Sequence, residues 1–396
     1  MGGSALRSAA PPRKVLITTD TVGGVWNYSL ELARSLEGFG IQPFLAALGA
    51  VAAHQREAMR PLKSTRLFSL PCRLEWMQDP WEDVERSGRW LMGLAQQVQP
   101  DLVHLNTYAA AALAWPAPVL VVGHSCVYSW YEAVKGRRPG PRWGTYFHAV
   151  RKGLRAAAGV TAPTHDMLAR LHAIYSGFEM LPVVPNGRRA EACDPAPKAP
   201  IVFSAGRLWD EAKNVTALTG IAGRLPWPVF LAGEAHHPEG GRSRFENVHL
   251  LGHLSSAEMA SWYERASIYA LPALYEPFGL TVLEAGLAGC ALVLGDIRSL
   301  RENWEGAALF VPPRRPDRLR QVLHRLMQDD ARLKHYARKA RLRALTFTAE
   351  RMGAGYIRLY QHLMSVAAGK AGGDTQVQRD YETRRAAGGL KPFGSE

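Results

Sequence analysis

The sequence is poor in cysteine and contains no long apolar run. Its cysteines lie far apart in the chain and form no CxxC pair; they are Cys72, Cys126, Cys193 and Cys290. This spacing argues against a zinc site and a disulfide framework, and favours a reducing cytoplasm. No apolar segment approaches the roughly 20 residues that a membrane-spanning helix needs. The first 14 residues lack the apolar core of a secretory signal, so we expect residues 1–13 to be a disordered leader.

Acidic residues are also in deficit. The chain has 48 Lys and Arg against 35 Asp and Glu, a net charge of +13. Such a surplus predicts an anionic partner, which could be a nucleic acid, an anionic membrane surface or a phosphate-bearing substrate. A general enrichment in arginine would give the same balance. The sequence shows neither zinc-finger spacing nor an RRM-type aromatic motif, so we expect no nucleic-acid partner.

The length and the order of the apolar segments predict two α/β domains. A chain of 396 residues with 47% hydrophobic and 21% charged residues is too long for one ordinary core and fits two domains of similar size. Short apolar runs alternate with helical patterns, which indicates parallel sheets. The predicted strands lie at residues 14–18, 43–48, 65–70, 101–105, 119–122, 159–162, 201–205, 228–232, 248–250, 268–271, 291–294 and 309–311.

The most informative stretch runs from Leu271 to Cys290. A buried strand ends there, a loop carries Glu276, Pro277, Phe278 and Gly279, and a small-residue helix begins at Leu280. A carboxylate then lies at the carboxyl end of a strand, beside the free N–H groups of a helix start, where an anion can bind. With Glu284 one turn into the helix, the stretch suits a nucleotide-sugar, which carries a diphosphate between two polyols. Taken alone, two glutamates at this spacing also fit a solvated helix surface.

A second loop offers two cations to the same kind of ligand. Gly206-Arg207-Leu208 follows a predicted strand, and Lys213-Asn214 begins the next helix. Arg presents a planar fork and Lys a mobile point charge, and both can reach a diphosphate. The alternative is an exposed pair at a helix start. The helix dipole disfavours a cation there unless an anion lies between them.

The first predicted domain supplies a glycine pair and a histidine. Gly23-Gly24 follows the first strand, where it could let a ligand approach the backbone or simply form a tight turn. The full GxGxxG pattern of a dinucleotide site is absent. His124 ends another strand and is predicted to point into a cleft, although a hydrogen-bonded core histidine remains an alternative. The aromatic and basic stretch at residues 125–138 could dock an anionic acceptor or a membrane face, or be a solvated surface.

These motifs resemble those of the retaining glycosyltransferases of family 4, the glycosyltransferase group 1 set. The resemblance rests on three features. They are two glutamates with seven residues between them and Pro-Phe-Gly after the first, Gly-Arg-Leu followed by Lys-Asn, and a histidine at residue 124. Many relatives have Asp after that histidine, where this chain has Ser125. The family has two facing Rossmann-like domains, the GT-B fold, with a C-terminal helix that crosses back to the first domain.

The resemblance implies domain boundaries. Residues 14–187 would form the acceptor-side domain, ending in a hinge at residues 183–187, and residues 188–346 the nucleotide-sugar domain. Residues 347–365 would form the crossover helix. The polar, glycine-rich residues 366–396 are predicted to be disordered.

It also implies roles for the site residues. Arg207 and Lys213 would clamp the diphosphate, Glu276 would hold sugar hydroxyls, and Glu284 would hold the ribose. His124 would contact the sugar from the other domain. The remaining predicted donor-site residues are Gly23, Gly24, Gly206, His253, Leu254, Phe278, Gly279 and Leu280, with His253 and Leu254 at the nucleobase.

The implied function is transfer of a sugar from a UDP-, GDP- or ADP-sugar to a carbohydrate or lipid-linked acceptor. No Asp-x-Asp motif stands out, so we expect neither a metal nor another cofactor. We expect a cytoplasmic protein, either free or peripheral at the inner face of the membrane. One alternative is a nucleotide-sugar epimerase or hydrolase, for which Asp20 is the candidate carboxylate. The other is a non-catalytic sugar- or nucleotide-binding protein.

Overall fold

A computed structural model describes residues 9–189, 197–236, 240 and 245–386, with side chains as far as residue 369. The strands are β1 Lys14–Asp20, β2 Gln42–Leu48, β3 Arg66–Leu70, β4 Leu102–Leu105, β5 Val119–Val122, β6 Gly159–Thr161, β7 Ala199–Ala205, β8 Val229–Ala232, β9 His249–Gly252, β10 Ala266–Leu271, β11 Ala291–Gly295 and β12 Leu309–Val311.

The helices alternate with the strands along most of the chain. They are α1 Gly24–Gly38, α2 Ala53–Ala58, α3 Trp81–Val98, α4 Val127–Lys135, α5 Gly144–Ala156, α6 His165–Tyr175, α7 Val215–Ala222, α8 Ser256–Arg265, α9 Leu280–Leu287, α10 Arg298–Trp304, α11 Pro316–Gln328, α12 Asp330–Ala344 and α13 Ala349–Ala386. Short 3₁₀ turns lie at Ala109–Ala112, Pro141–Trp143 and Glu211–Lys213.

The strands form two six-stranded parallel sheets with the same topology. The first has the order β3-β2-β1-β4-β5-β6 and the second β12-β11-β10-β7-β8-β9. Representative parallel registers pair Lys14 with Gln42 and Ile268 with Ala291. In each sheet the strand order reverses between the first and fourth strands, which is where open parallel sheets bind ligands. This arrangement confirms the predicted fold class of two Rossmann-like domains.

Local signals explain where several helices begin. Thr164 accepts a hydrogen bond from the Met167 amide and caps α6 as the sequence predicts. Ser255 and Glu258 form a capping box at the start of α8. The residues Asp79-Pro80-Trp81-Glu82 predict that Asp79 caps α3 and that Pro80 is the first helical residue. This prediction is wrong. Asp79 has φ 45°, and Pro80 occupies the cap position without a side-chain bond, so the backbone turn before the proline displaces the aspartate.

Helix α13 ties the end of the chain to the first domain. Met352, Tyr356 and Tyr360 are fully buried, and they pack with Val15 and Ile17 of the central strand β1. The helix thus crosses back as the fold class implies. The helix continues to Ala386, beyond residue 365, where the sequence places the end of the crossover helix. Low apolar content shows that a segment buries little surface, but it does not prevent a helix from satisfying its own backbone bonds.

Other expectations concern the two ends of the chain and residues 190–199, which the sequence predicts to be a linker rich in alanine and proline. Residues 9–13 precede β1 without helix or strand, whereas residues 1–8, 190–196 and 387–396 lie outside the described residues. Among the residues that the structure describes, no helix is both long and apolar enough to cross a membrane.

The two domains contact each other directly beside the cleft between them. Thr164 Oγ1 donates to the Pro277 carbonyl at 2.9 Å, and the Ser129 and Tyr275 hydroxyls lie 2.7 Å apart. Trp130 Nε1 donates to Asp210 Oδ1 at 3.0 Å. These bonds join loops at the carboxyl ends of the two sheets, so both topological switch points open into one enclosed space.

Candidate active site

A cavity of about 620 Å³ lies between the domains, where the carboxyl ends of both sheets meet. A volume of this size lies in the range of ordinary ligand sites. Ten of the thirteen predicted site residues line it: Gly23, Gly24, His124, Gly206, Arg207, Lys213, Glu276, Phe278, Gly279 and Leu280. The three that do not line it are His253, Leu254 and Glu284.

Glu276 and Lys213 form an ion pair at the second-domain side of the cavity. Lys213 Nζ lies 2.5 Å from Glu276 Oε2, and the two side chains are only 15% and 11% exposed. The other carboxylate oxygen, Oε1, accepts the Gly279 amide at 3.1 Å. The carboxylate is therefore fixed on both sides, and the lysine has a competing partner when no other anion is present.

Gly279 is required by the shape of this loop. Its φ of 89° lies in the left-handed region, and an added Cβ would lie 2.9 Å from Val282 Cγ2. The turn places Gly279 at the start of α9, where no side chain caps the helix. The first amides of α9 are thus open to the cavity that Leu280 and Thr281 line, which favours an anion there.

Arg207 is held at the cavity by Asp210. Its Nη2 lies 2.9 Å from Asp210 Oδ2, and the guanidinium lies over the Trp209 ring at 5.3 Å. Burial by itself would raise the pKa of Asp210, but Arg207 and Lys213 outweigh it and hold that pKa below its ordinary value. The ionised aspartate orients Arg207, whose side chain remains 39% exposed.

The glycine pair of the first domain lies against these second-domain residues. A Cβ added at Gly23 would be 3.4 Å from Arg207 Nη1, and one added at Gly24 would be 3.4 Å from Leu280 Cδ1. Larger side chains would therefore intrude between the domains. Asp20 Oδ1 accepts the Val22 and Gly23 amides at 3.0 and 3.2 Å, which shapes the turn. Burial raises the pKa of Asp20.

His124 lines the cavity from the first domain and is held by a neighbouring amide. Its Nε2 lies 2.8 Å from Asn106 Oδ1, and its ring meets Tyr28 edge-on at 4.5 Å. Burial lowers the pKa of His124 to about 3, so the imidazole is neutral at physiological pH. The ring is both a hydrogen-bonded histidine, as one alternative held, and a residue exposed to the cavity. Ser125 follows it and also lines the cavity.

Glu284 is engaged elsewhere. Its Oε1 pairs with Arg188 Nη2 at 2.5 Å, and its Oε2 accepts the Tyr263 hydroxyl at 3.1 Å. Burial alone would lower the pKa of Arg188, but Glu284 and Glu31 raise it above the ordinary value. Sequence spacing could not show that an arginine after the hinge would compete for this carboxylate. The structure gives Glu284 no contact with the cavity.

His253 and Leu254 also lie outside the cavity lining. They follow β9, which is the outermost strand of its sheet, two strands away from the switch point. The His253 ring faces His54 of the first domain at 5.1 Å, and Leu254 packs on the core of the second domain. Position in the sheet order, which the sequence does not reveal, separates this loop from the central cavity.

Sequence reasoning missed two groups of cavity residues. Asn186 is 4% exposed and lines the cavity, and its Oδ1 has no partner among the described residues. The pattern of residues 183–187 indicates only a hinge, so the sequence does not reveal Asn186 as a residue of the site. The second group, recognised only in part, is an aromatic wall of the first domain, formed by Trp76, Trp81, Trp130, Tyr131 and Trp143. Trp130 and Tyr131 lie in the aromatic stretch at residues 125–138, and the sequence assigns the tryptophans of the Trp81 helix to the core or the cleft wall.

The charged groups in the cavity do not form a metal centre. Among the described residues no group of three or more His, Cys, Asp or Glu side chains is placed to hold a metal ion. The geometry instead offers Arg207, Lys213 and the start of α9 to an anion. Glu276 and His124 can hydrogen-bond a polyol on opposite sides of it.

The fold and this cavity define a protein class. HepE from Anabaena in complex with UDP-glucose has the same fold, with a TM-score of 0.67 at 16% identity, covering 90% of this chain and 99% of that one. The class is therefore the GT-B fold of glycosyltransferases. Two sequence families match this chain: Glycosyltransferase Family 4 over residues 22–191 and Glycosyl transferases group 1 over residues 199–329.

The chain belongs to the family 4, group 1 glycosyltransferases. Among curated proteins it is 27% identical over 286 residues to an exopolysaccharide phosphotransferase of Streptomyces coelicolor, covering 69% of this chain and 26% of that protein. It is 30% identical over 190 residues to the serotype-specific mannosyltransferase WbdA of Escherichia coli, covering 41% and 22%. The chain thus spans about a quarter of the length of the first curated relatives that it matches.

Proposed function

We propose that this protein is a retaining glycosyltransferase. It transfers a sugar from a nucleoside diphosphate sugar to a hydroxyl of a carbohydrate or lipid-linked acceptor, in the synthesis of a polysaccharide, glycolipid or glycoconjugate. The membership in family 4 supports sugar transfer. The UDP-glucose bound to HepE, a protein of the same fold, supports a nucleotide-sugar donor. The names of the longer curated relatives carry no more specific substrate to this chain.

One observation carries the proposal most strongly. Arg207, Lys213 and the uncapped start of α9 converge on the same cavity as Glu276. Two cations and the amides at the start of α9 could bind a diphosphate, and the carboxylate beside them could accept hydrogen bonds from sugar hydroxyls. An anion at this place would also explain why a lysine is kept beside a helix start.

The ion pair of Lys213 with Glu276 indicates how the donor engages the site. An incoming diphosphate offers Lys213 a stronger anionic partner, which releases Glu276 Oε2 to accept a sugar hydroxyl. Arg207, oriented by Asp210, stabilises the negative charge that grows on the diphosphate as it leaves. These cations would replace a metal ion in that role, so the proposed reaction is independent of metal.

Retention follows if the acceptor attacks from the face that the diphosphate leaves. The bond between the anomeric carbon and the phosphate oxygen breaks, and a bond to the acceptor oxygen forms on the same side. The acceptor proton passes to the departing phosphate oxygen. His124 and the Gly23-Gly24 turn bound the sugar from the first domain, and a donor that fills the cavity would displace water from it.

Hydrolysis of the nucleotide-sugar donor is the second candidate function, and Asp20 is the residue that suggests it. It lines the cavity near Arg207, and burial raises its pKa, as it raises the pKa of Glu75, which also lines the cavity. However, its Oδ1 is already engaged by two backbone amides. A hydrolase would release the free sugar from the donor without any acceptor.

The test is a set of UDP-, GDP- and ADP-sugars, with release of the nucleoside diphosphate measured with and without a panel of glycan and glycolipid acceptors. Transfer predicts that release depends on an acceptor and that the glycosidic product keeps the anomeric configuration of the donor. Lys213→Met should abolish release, whereas Lys334→Met, at an exposed lysine paired with Asp330, should not. Equal release without an acceptor would support the hydrolase, and an inverted product would refute retention.

A membrane role is a further part of the proposal. A protein that acts on a lipid-linked acceptor in the cytoplasm would meet its substrate at the inner face of the membrane. Co-sedimentation with anionic and neutral vesicles tests this contact directly, and equal recovery in the absence of vesicles would contradict it.

A further inference from the structure

A buried hydrogen-bond network behind His124 reaches from the cavity to the C-terminal helix. Asn106 follows β4 at the switch point of the first sheet, and its Oδ1 lies 2.8 Å from His124 Nε2 and 3.3 Å from His104 Nε2. His104 is completely buried, and its Nδ1 lies 2.7 Å from the Tyr360 hydroxyl of α13. Neither His104 nor Tyr360 lines the cavity.

The orientation of the Asn106 amide is fixed by its other bonds. Its Nδ2 donates to the Thr18 carbonyl at 2.6 Å, and its backbone N–H donates to Thr18 Oγ1 at 2.8 Å. Since Nδ2 must face an acceptor, Oδ1 is the atom that faces the two imidazoles. An amide oxygen only accepts hydrogen bonds, so His124 Nε2, which lies 2.8 Å away, must donate.

This constraint determines the tautomer of His124. The ring is neutral, because burial lowers its pKa to about 3, and a neutral imidazole carries one N–H and one lone pair. With the hydrogen on Nε2, the lone pair is on Nδ1. The tautomer of His104 is not fixed in this way, because its Nε2 lies 3.2 Å from the Tyr28 hydroxyl as well as 3.3 Å from Asn106 Oδ1, and a hydroxyl can donate or accept.

We propose that Asn106 is a positioning residue that holds His124 in the Nε2–H tautomer, so that the ring presents an acceptor nitrogen to a substrate hydroxyl. Behind Asn106, His104 links the network to the Tyr360 hydroxyl of α13, so the crossover helix contacts the network without lining the cavity. The role in catalysis rests on the proposed glycosyl transfer, whereas the tautomer assignment does not.

The tautomer can be measured independently of activity. In protein labelled with ¹⁵N-histidine, two-bond ¹H–¹⁵N spectra distinguish a protonated Nε2 from a protonated Nδ1, and His124→Gln assigns the signals of this ring. The wild type should show only Nε2–H. Asn106→Ala should give a mixture of tautomers, whereas Asn303→Ala, which removes another buried asparagine, should leave the His124 signals unchanged. A pure Nε2–H ring in Asn106→Ala, or an Nδ1–H ring in the wild type, would overturn the assignment.

Kinetics of the same variants test the positioning role. Asn106→Ala should lower kcat by about 10- to 100-fold, the range of one well-placed hydrogen bond, with a change in nucleoside diphosphate affinity below about threefold. Asn106→Asp keeps an acceptor oxygen towards His124 but replaces the Nδ2 that donates to the Thr18 carbonyl by a second oxygen, and its charge favours a protonated ring. Its kcat should fall as the pH drops from 8 to 5, unlike that of the wild type. If Asn106→Ala mixed the tautomers without slowing transfer, the positioning role would be wrong.

Tyr360→Phe provides a variant with little risk to folding, since it removes one hydroxyl from a well-packed ring. The His104 signals should then shift, because the ring loses its contact with this hydroxyl, whereas His124 should remain in the Nε2–H form. An unchanged His104 would remove α13 from the network. If no donor supports transfer by the wild type, the proposed function fails, but the spectra still decide the tautomer.

Discussion

The effects of substituting Lys213 and Glu276 on the free energy of unfolding should be coupled. Their effects on nucleoside diphosphate affinity should not be. The perturbations are Lys213→Met, Glu276→Gln and the double variant. In Lys213→Met, Glu276 keeps only the Gly279 amide as a partner inside a largely closed site. Removing one partner of a buried pair leaves an uncompensated charge, which costs more than removing both.

The magnitude follows from the exposure of the two side chains. At 15% and 11% they are closer to buried than to surface groups, although the cavity admits water to them. A hydrogen bond between charged groups contributes about 1.5–3 kcal/mol, so Lys213→Met should lower the unfolding free energy by about 2 kcal/mol. For a domain of this size that corresponds to a melting temperature lower by about 4–8 °C. The double variant should recover about 1–2 kcal/mol relative to the sum of the single variants.

The assay is urea and thermal unfolding of the four proteins, followed by tryptophan fluorescence, with titration of nucleoside diphosphate in parallel. Lys334→Met is the control, because its pair with Asp330 is 76% and 71% exposed and should cost below about 0.5 kcal/mol. Stability should recover in the double variant, whereas diphosphate affinity should not. Strictly additive stability changes would refute the coupling, and recovered affinity would refute the role of Lys213 as a diphosphate ligand.

Three further results are expected. Gly279→Ala should abolish donor binding while the protein still folds, because the left-handed turn and the contact with Val282 prevent the loop from placing Glu276; wild-type affinity in a binding titration would contradict this. Asn186→Ala should raise the KM of one substrate several-fold with little change in melting temperature, since the residue lines the cavity and its buried Oδ1 has no partner among the described residues; an unchanged KM for donor and acceptor would remove Asn186 from the site. Burial lowers the pKa of both His104 and His124 to about 3, below the ordinary value of about 6.5. The unfolded chain therefore binds more protons between these values, and stability should be complete above pH 6.5 and fall as the pH drops towards 3. Urea midpoints at pH 7.5, 6 and 5 check this trend, which His104→Gln should weaken.

The sequence predicted the fold well because the central strands of both sheets are fully buried. Runs such as residues 268–271 and 291–294 are continuously apolar, and loops with Gly or Pro separate them from helices, so the alternation that defines the class is explicit in the chain. The cap at Asp79 was wrong because it was judged from local composition, whereas the backbone turn before Pro80 decided the outcome.

The sequence predicted those site residues that directly follow a strand beside the switch point, because that position brings a side chain to the cavity. Arg207, Lys213 and Glu276 all follow strands beside the switch point, and the sheet order brings them to one cavity. Glu284 and His253 were not brought there, because Arg188 pairs with the first and the edge position of β9 displaces the second. Asn106 and Asn186 carried no recognisable motif, and only the tertiary structure reveals what their amides face.

The diphosphate clamp is the central claim, and ligand-induced stabilisation tests it most directly. The melting temperature of the wild type, Arg207→Ala and Arg301→Ala should be measured with UDP, GDP and ADP, each with and without EDTA. Arg301 is a suitable control because it is paired with an aspartate and is 42% exposed, against 39% for Arg207, but lies outside the cavity. One nucleotide should stabilise the wild type and Arg301→Ala by mass action, with or without EDTA, and lose most of that effect in Arg207→Ala. If no nucleotide raises the melting temperature of the wild type, or if Arg207→Ala responds fully, the clamp does not exist as described.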